Sequence, residues 1–403
     1  MLGRNIVLAT FIFCFGIHWA TSSNPQQRAQ EPSSKLGKTA QREKTEELIG
    51  QLTNKNDDIS LGALKSLEKI GLDAIDELLV ASAKGDPETR EMVAVVLGKL
   101  RHSALREKKK DVGDAIENVL LEALSDPNHR VVNGAAAALT FTEPRAKKAI
   151  PKLAAILEMP KSETDTTDLA WAAAISGVKR FGTDASSTVA VMLRVLADKK
   201  NSPNRRSAVC EALAAVGPKD VRVPDALRRV LKDDDEELGV RHAAASGLAK
   251  VGTAAQSAVS DIVAVVSKTS AKKTDALYSA FRKTLTLSLA ELKLSSSEID
   301  VLSEIISDPG EHPSVRLAAL NALRCEGADA RRACRRLAET LMVLEPDSPI
   351  AMAIVQALGR FGQAAIDTGP ALRQTLLRSK YIPLNDAIKG SLSLIDPPKS
   401  KVR

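Results

Sequence analysis

The chain repeats one pattern of about 36 to 40 residues, and this period constrains the fold more than any other feature of the sequence. Each copy opens on a turn such as Asp86-Pro87, continues with an arginine three or four residues later, and then runs into small apolar residues. A fixed period of this length is typical of a solenoid of stacked helix pairs. Five copies carry the arginine at the equivalent position: Arg90, Arg130, Arg205, Arg241 and Arg316.

The first segment of each copy carries the signals of a helix start. An Asp or Ser side chain can accept hydrogen bonds from the free N–H groups of a first turn, and proline fits there because its missing N–H would have no partner. Predicted starts of this kind are Asp86-Pro87, Asp126-Pro127, Ser202-Pro203, Asp308-Pro309 and Ser348-Pro349. Several copies then end the first helix on a glycine that can adopt positive φ, as at Gly71, Gly217 and Gly252.

The second segment of each copy places aliphatic residues at helical spacing, as in residues 150–157, and no segment alternates as a strand would. Aromatic residues make up only 3% of the chain, whereas Ala, Leu and Val abound. Small side chains allow helices to approach closely. We therefore predict an all-α solenoid over residues 45–396, in which each helix pair buries its apolar face only against its neighbours.

The N-terminus is expected to be a separate element. Arg4 precedes twelve apolar residues, 6–17, which are too few to cross a hydrocarbon core and are typical of a secretory signal peptide. We predict a signal peptide at residues 1–22, a flexible polar linker at 23–44 and a disordered tail at 397–403. The mature chain would then be periplasmic or extracellular without an integral membrane span, the alternative being an uncleaved N-terminal anchor.

Residue patterns for catalysis or metal binding do not stand out. No Gly-rich phosphate loop follows a strand, and the histidines of the mature chain lie in different copies without ligand spacing. Its three cysteines are Cys210, Cys325 and Cys334, which are expected to be buried thiols, with a Cys325–Cys334 bridge as the alternative. We expect no enzyme activity, no catalytic residue, no cofactor and no metal.

Residues 126–139 followed by 149–157 resemble the HEAT repeat, in the bacterial HEAT-like form also found in phycobilin lyases. The resemblance extends over about residues 45–395 and rests on the recurrence of Asp-Pro-x-x-x-Arg and Ala-x-x-Ala-Leu-x-x-Ile-Gly. It implies a right-handed α-α superhelix of about nine helical hairpins, with second helices on the concave face and an Asp–Arg ladder between copies. Two copies depart from it: Leu169 replaces the arginine, and residues 273–292 lack it, so these junctions are expected to be looser or bent.

Basic clusters are the candidate partner-binding residues. Residues 101–110 are expected to form a long basic loop, and the i, i+3, i+4 spacing of Arg332, Arg335 and Arg336 places them on one side of a second helix. Early second helices carry Asp76, Glu77, Glu117 and Glu122 instead, which predicts a surface that changes from acidic to basic along the solenoid; ordinary solvated faces are the alternative. The full candidate set is Arg228, Arg229, Arg332, Arg335, Arg336, Arg373, Lys108, Lys109 and Lys110.

These observations predict a monomeric, exported, non-catalytic scaffold that binds a protein partner and no nucleic acid. A lyase-like or other enzyme-accessory role is one alternative, although phycobilin lyases work in the cytoplasm. A helical-repeat DNA glycosylase is the minor alternative, and it would need a continuous basic groove with aromatic contacts to the damaged nucleotide. Trp171 is expected in the core instead, and export would separate the protein from DNA.

Overall fold

The computed structural model describes residues 35–141, 145–160 and 165–396, and these form α-helices and short 3₁₀ segments without a β-strand. The all-α prediction is confirmed. The chain divides into two compact units, residues 1–205 and 206–403. The predicted signal peptide at 1–22 and the predicted tail at 397–403 lie outside the described residues. No helix within the described part is long and apolar enough to span a membrane.

The described residues of the first unit contain nine helices and the start of a tenth. They are α1 (Lys35–Gln51), α2 (Asp57–Ile70), α3 (Ile75–Lys84), α4 (Pro87–Arg106), α5 (Lys110–Ala123), α6 (His129–Phe141), α7 (Ile150–Leu157), α8 (Asp165–Phe181), α9 (Val189–Ala197) and α10 (Pro203–Val216). The boundary between the units falls within α10.

The second unit continues the same alternation of helices. It holds the rest of α10, then α11 (Arg222–Lys232), α12 (Leu238–Val251), α13 (Val259–Lys268), α14 (Ala276–Ser288), α15 (Ser296–Ser307), α16 (Pro313–Ala322), α17 (Gly327–Val343), α18 (Pro349–Phe361), α19 (Gly369–Arg378) and α20 (Ile382–Ile395). Across the described residues, nine pairs run from α2/α3 to α18/α19, with α1 before them and α20 after them.

Helix α1 begins at Lys35, inside the segment 23–44 that was expected to be a flexible linker. Residues 35–44 contain lysine, alanine, glutamine, arginine and glutamate, which all have high helix propensity. Helix α1 packs against α2 and α3, and these two helices stabilise it. The expected end of the linker at residue 44 is therefore corrected, because the helix already begins at Lys35.

Within each unit the first helices of successive pairs pack against one another, and several second helices do the same. The α4–α6 contact shows why small residues are needed there. A Cβ atom added at Gly98 would lie 2.7 Å from the Ala138 Cβ, and one added at Gly134 would lie 2.6 Å from the Glu91 carbonyl oxygen. The two backbones therefore approach too closely for larger side chains, in keeping with the scarcity of aromatic residues.

Some predicted helix starts are confirmed and others are displaced. The Asp86 side chain accepts hydrogen bonds from the N–H groups of residues 88 and 89, which hold the pKa of its carboxyl below the usual range. Ser348 likewise caps α18. The predictions at Asp126-Pro127 and Asp308-Pro309 are wrong, because each Asp side chain accepts from the N–H two residues later and forms a turn ahead of the helix. The helices α6 and α16 begin only after these turns.

Glycine ends two of the three predicted first helices with positive φ. Gly71 and Gly252 adopt φ values of 72° and 56°, which residues other than glycine rarely adopt. Gly217 does not adopt positive φ, so that prediction is wrong; its N–H instead donates to the Leu213 carbonyl at 2.9 Å.

Buried arginines connect successive helix pairs in the second unit. The Nε of Arg241 donates to the Leu231 carbonyl at 3.1 Å, and the Nε of Arg316 donates to the Ile306 carbonyl at 2.7 Å. Each acceptor lies in the last turn of the preceding second helix, where carbonyl groups lack an intrahelical partner. A cation at that position also faces the negative end of the helix dipole.

The junction around α14 corrects a prediction. Residues 273–292 were expected to lack the arginine of the repeat position and to form a looser or bent junction. Arg282 lies there instead, one turn further into its helix than Arg241 or Arg316. Its guanidinium donates to the Val266 carbonyl, to the Thr269 hydroxyl at 3.0 Å and to the Glu311 carboxylate. This junction is therefore closed by an arginine after all. The sequence pattern missed it because it fixed the position of the residue too strictly.

The junction at Leu169 is closed by a different arrangement. Arg205 donates to the Asp168 carboxylate at 2.7 Å and to the Met159 carbonyl at 2.9 Å, and its guanidinium lies 5.0 Å from the Trp171 ring centroid. Trp171 is 4% exposed and donates to the Leu157 carbonyl, which confirms its expected place in the core. In the first unit the expected Asp–Arg ladder also appears as an Arg90–Asp126 pair at 3.2 Å.

We predict that Glu311→Ala lowers the free energy of unfolding by about 3–5 kcal/mol, because it leaves the buried Arg282 without a counter-ion. Both side chains of this pair are only 1% exposed. The matched control is Asp386→Ala, which breaks an exposed pair with Lys389 in the same unit and should change stability by about 0–1 kcal/mol. Urea unfolding followed by circular dichroism measures both, and equal losses would contradict the prediction.

Candidate partner-binding surface

The structure separates the three arginines predicted to act together on α17. Arg332 forms ion pairs with Asp300 at 3.1 Å and Asp329 at 2.9 Å. Arg336 lies 4.0 Å from Glu304 and donates to the Asp300 carbonyl at 3.4 Å. Both therefore bridge α17 to α15. Arg335 is exposed and forms no ion pair among the described residues, so it is the one of the three that remains available to a partner.

The other predicted arginines divide in the same way. Arg228 pairs with Asp261 at 3.0 Å across the α11–α13 contact. Arg229 on α11 and Arg373 on α19 are exposed and have no ion pair within the described part of the chain. The sequence pattern could not show the pairs that join neighbouring helices, because Asp261, Asp300 and Glu304 lie more than thirty residues from their arginines along the chain.

The predicted basic loop at residues 101–110 is wrong. Helix α4 continues to Arg106 and α5 starts at Lys110, so only residues 107–109 connect them. Arg101 is buried and its Nε lies 3.0 Å from Glu117, an acid that had been expected on the surface. The connection is this short because Lys108 adopts φ 62° and reverses the chain at once.

Among the described residues, Lys109 is the one of the three predicted lysines that has an ion pair, with Glu107 at 2.9 Å. Lys108 and Lys110 are exposed. All three belong to the first unit, whereas the predicted arginines belong to the second.

Two of the four acidic side chains expected on early second helices line a cavity of about 500 Å³ in the first unit. Asp76 and Glu77 of α3 line it together with Glu46 of α1. Arg42 enters the same cavity and lies 3.0 Å from Glu46 and 3.8 Å from Glu77. Arg42 thus partly neutralises the negative charge of the cavity lining.

Exposed apolar residues on the second helices were not singled out from the sequence. Val343 on α17 is 83% exposed and Leu377 on α19 is 87% exposed. Helix geometry puts Val343 on one ridge with the exposed Arg331, Arg335 and Glu339, and Leu377 on one ridge with Arg373. We call these six residues the ridge face. The helices that carry the two ridges are in contact, because Arg378, which follows Leu377, donates to the carbonyls of residues 342 and 344 at 2.7 and 3.0 Å.

A second surface feature lies at the turns between first and second helices of the second unit. We call it the turn cavity; it has a volume of about 960 Å³ and is lined by Lys293, Arg324, Cys325, Arg360 and Phe361, among others. Burial, and to a smaller extent the nearby Arg324 charge, hold the pKa of Arg360 below its usual range.

The cysteines are thiols in the structure. Cys210 and Cys334 are buried and Cys325 is half-buried. Burial raises the pKa of Cys325 to about 11 and those of Cys210 and Cys334 to about 12. No group of histidine, cysteine or acidic side chains that could hold a metal ion occurs among the residues described here.

No protein-family model matches the chain, and no curated protein matches it either. Solved structures do. Kap95p, whose binding induces the switch loops of RanGDP to adopt the GTP-bound conformation, aligns with a TM-score of 0.56 and 13% identity, over 91% of this chain and 55% of that chain. Importin beta aligns with a TM-score of 0.55 and 13% identity, over 91% and 56%. Uso1-2 aligns with a TM-score of 0.55 and 10% identity, over 92% and 83%.

These likenesses establish the fold. The helix pairs belong to the HEAT-like class of all-α superhelices, as the sequence resemblance implied. The chain spans about half the length of the two transport receptors it matches.

We predict that iodoacetamide at pH 8 alkylates Cys325 in the folded protein, whereas Cys210 and Cys334 react only after unfolding in urea. Cys325 should react more slowly than an unperturbed thiol, whose pKa is about 8.5, because less of it is ionised. Peptide mapping by mass spectrometry measures each site separately. Alkylation of Cys334 as fast as that of Cys325, or a disulfide between them in the unreduced protein, would contradict this prediction.

Proposed function

We propose that this protein is a non-catalytic scaffold that binds a protein partner through the ridge face of its second unit. The observation that carries the proposal is the pair Val343 and Leu377, which expose most of their surface on two second helices in contact. An isolated exposed aliphatic residue needs no explanation, but two on adjoining ridges beside unpaired arginines form a patch suited to a partner.

The ridge face offers both kinds of contact that interfaces use. Arg335 and Arg373 supply cations that have no carboxylate partner in the described part of the chain, and the two aliphatic side chains supply apolar area. Arginine is enriched at the energetic centre of interfaces, and apolar burial adds affinity around it. The helices that present these side chains are already fixed by packing, so docking requires little ordering of the backbone.

Two further observations support an interaction role. Arg228, Arg332 and Arg336 are held by acids of adjacent helices, which separates them from the exposed arginines that have no ion pair among the described residues. Kap95p, of the same fold, binds a protein partner, Ran. The candidate arginines that stay in the proposal are Arg229, Arg335 and Arg373, with Lys108, Lys109 and Lys110 as a separate set in the first unit.

We predict that Val343→Glu combined with Leu377→Glu reduces partner recovery at least about tenfold, because charges would replace two apolar side chains that the partner is expected to bury. The measurement is affinity capture from an envelope fraction with quantitative mass spectrometry against the wild-type protein. Circular dichroism melting checks that the variant remains folded.

The matched control is Val221→Glu combined with Leu277→Glu, which changes two equally exposed aliphatic residues of the same unit outside the ridge face. It should retain the partners of the wild type. Equal recovery by both variants would exclude the ridge face, and a wild-type protein that captures no specific partner would remove the scaffold proposal itself.

We also propose that the chain is exported, on the basis of the twelve apolar residues after Arg4. The expected result is a mature protein in the periplasm or medium whose first residue is Ser23, determined by N-terminal mass spectrometry of the protein expressed with its own N-terminus. Retention of Met1 in a membrane pellet would indicate an uncleaved anchor. Retention of Met1 in a cytoplasmic pool would refute export.

A further inference from the structure

We propose that the turn cavity is a binding site for an acidic, partly apolar peptide segment. This site lies apart from the ridge face, and the proposal does not depend on it. The cavity joins three consecutive helix pairs of the second unit, because its lining comes from the turns that follow α14, α16 and α18.

The lengths of these turns explain why a recess exists. The turns after α14 and α18 have seven residues each, 289–295 and 362–368, whereas the middle turn at 323–326 has only four. A short turn between two longer ones leaves space that the neighbours do not fill. The preceding junction shows the closed alternative: there Gln256 donates to the Lys293 carbonyl at 2.8 Å and accepts from its N–H at 2.9 Å, which ties two seven-residue turns together.

The charges in the cavity are not balanced within the chain. Lys293, Arg324 and Arg360 line it, against the single carboxylate of Glu326. None of the three cations has an ion pair among the described residues, and Arg360 donates only to the Leu320 carbonyl at 3.1 Å. By contrast, Lys273 in the same unit is paired with Asp308. An anion placed between Arg324 and Arg360 would relieve their mutual repulsion.

Backbone donors add to the same site. Helix α17 has seventeen residues and starts at Gly327, on the wall of the cavity. The side chain of its N-cap residue, Glu326, does not bond to the first turn, so N–H groups there remain available to an acceptor. The positive end of the helix dipole favours a carboxylate at this position.

The apolar part of the lining defines the ligand further. Leu294, Leu323 and Phe361 stand beside the cations. A free inorganic anion would leave this apolar area exposed, whereas a peptide that carries glutamate or aspartate next to leucine could use both. The occupant is therefore expected to be an acidic segment of a protein with bulky aliphatic side chains among its carboxylates.

The test uses fluorescence anisotropy of the full mature chain with a short fluorescein-labelled peptide that alternates glutamate with leucine. Arg324→Glu combined with Arg360→Glu should weaken binding at least about tenfold, because cations at the site become anions. The matched control, Lys219→Glu combined with Lys283→Glu, makes the same charge change at two exposed lysines outside the cavity lining and the ridge face, and it should bind within about twofold of the wild type, since distant exposed charges are screened at physiological salt. Circular dichroism confirms that each variant is folded.

Three further arms decide between ligand chemistries and between sites. A peptide with glutamine in place of glutamate, or with serine in place of leucine, should bind at least about tenfold more weakly, because each lacks one of the two matching features. Inorganic phosphate that displaces the peptide as well as unlabelled peptide does would show a site for free anions and overturn the proposal. Val343→Glu combined with Leu377→Glu should leave peptide binding unchanged, so a failure of the ridge face and a failure of the turn cavity give different results. Equal binding by the Arg324/Arg360 and Lys219/Lys283 variants would overturn the proposal as well.

Discussion

The hydrogen bond from a buried arginine to the last turn of the preceding second helix is the interaction on which the stacking of the second unit depends. Every α-helix ends in carbonyl groups without an intrahelical partner, and a second helix ends where the next pair begins. Arg241, Arg282 and Arg316 supply donors there. Because donor and acceptor belong to different pairs, neither pair satisfies its polar groups alone, which is the physical basis of nearest-neighbour stability in a repeat protein.

Burying an arginine requires a compensating acid, and this requirement determines where the surface charge of the protein is left. Glu311 neutralises Arg282 in the interior, and Asp308 and Glu311 act on Arg316 against the effect of burial, which lowers its pKa. On the surface, Arg332 and Arg336 join α17 to α15 through Asp300 and Glu304. Part of the positive charge of the chain is thus used between helices, and the ridge face and the turn cavity each hold cations that have no such partner among the described residues.

The sequence contains enough information for the fold and too little for the site. The period, the caps at Asp86 and Ser348 and the buried Trp171 follow from local rules, and the structure confirms them. Local rules fail where a turn precedes the helix, as at Asp126-Pro127, and where a helix extends past an apparent loop, as at Arg101. They also cannot tell Arg335 from Arg332, because the difference is an acid on another helix thirty-two residues away.

Variation in turn length, more than variation in the helices, gives the second unit its individual surface. The apolar faces of the helices must match their neighbours, so their sequences are constrained to small and aliphatic residues. A turn faces solvent on one side and can lose residues without disturbing that packing. The four-residue turn at 323–326 shows the consequence, since it borders a recess that Arg324 and Arg360 both line, where burial and, to a smaller extent, the Arg324 charge lower the pKa of the Arg360 guanidinium. A repeat fold can therefore acquire a specific site by shortening one turn, with the stack of helices on either side unchanged.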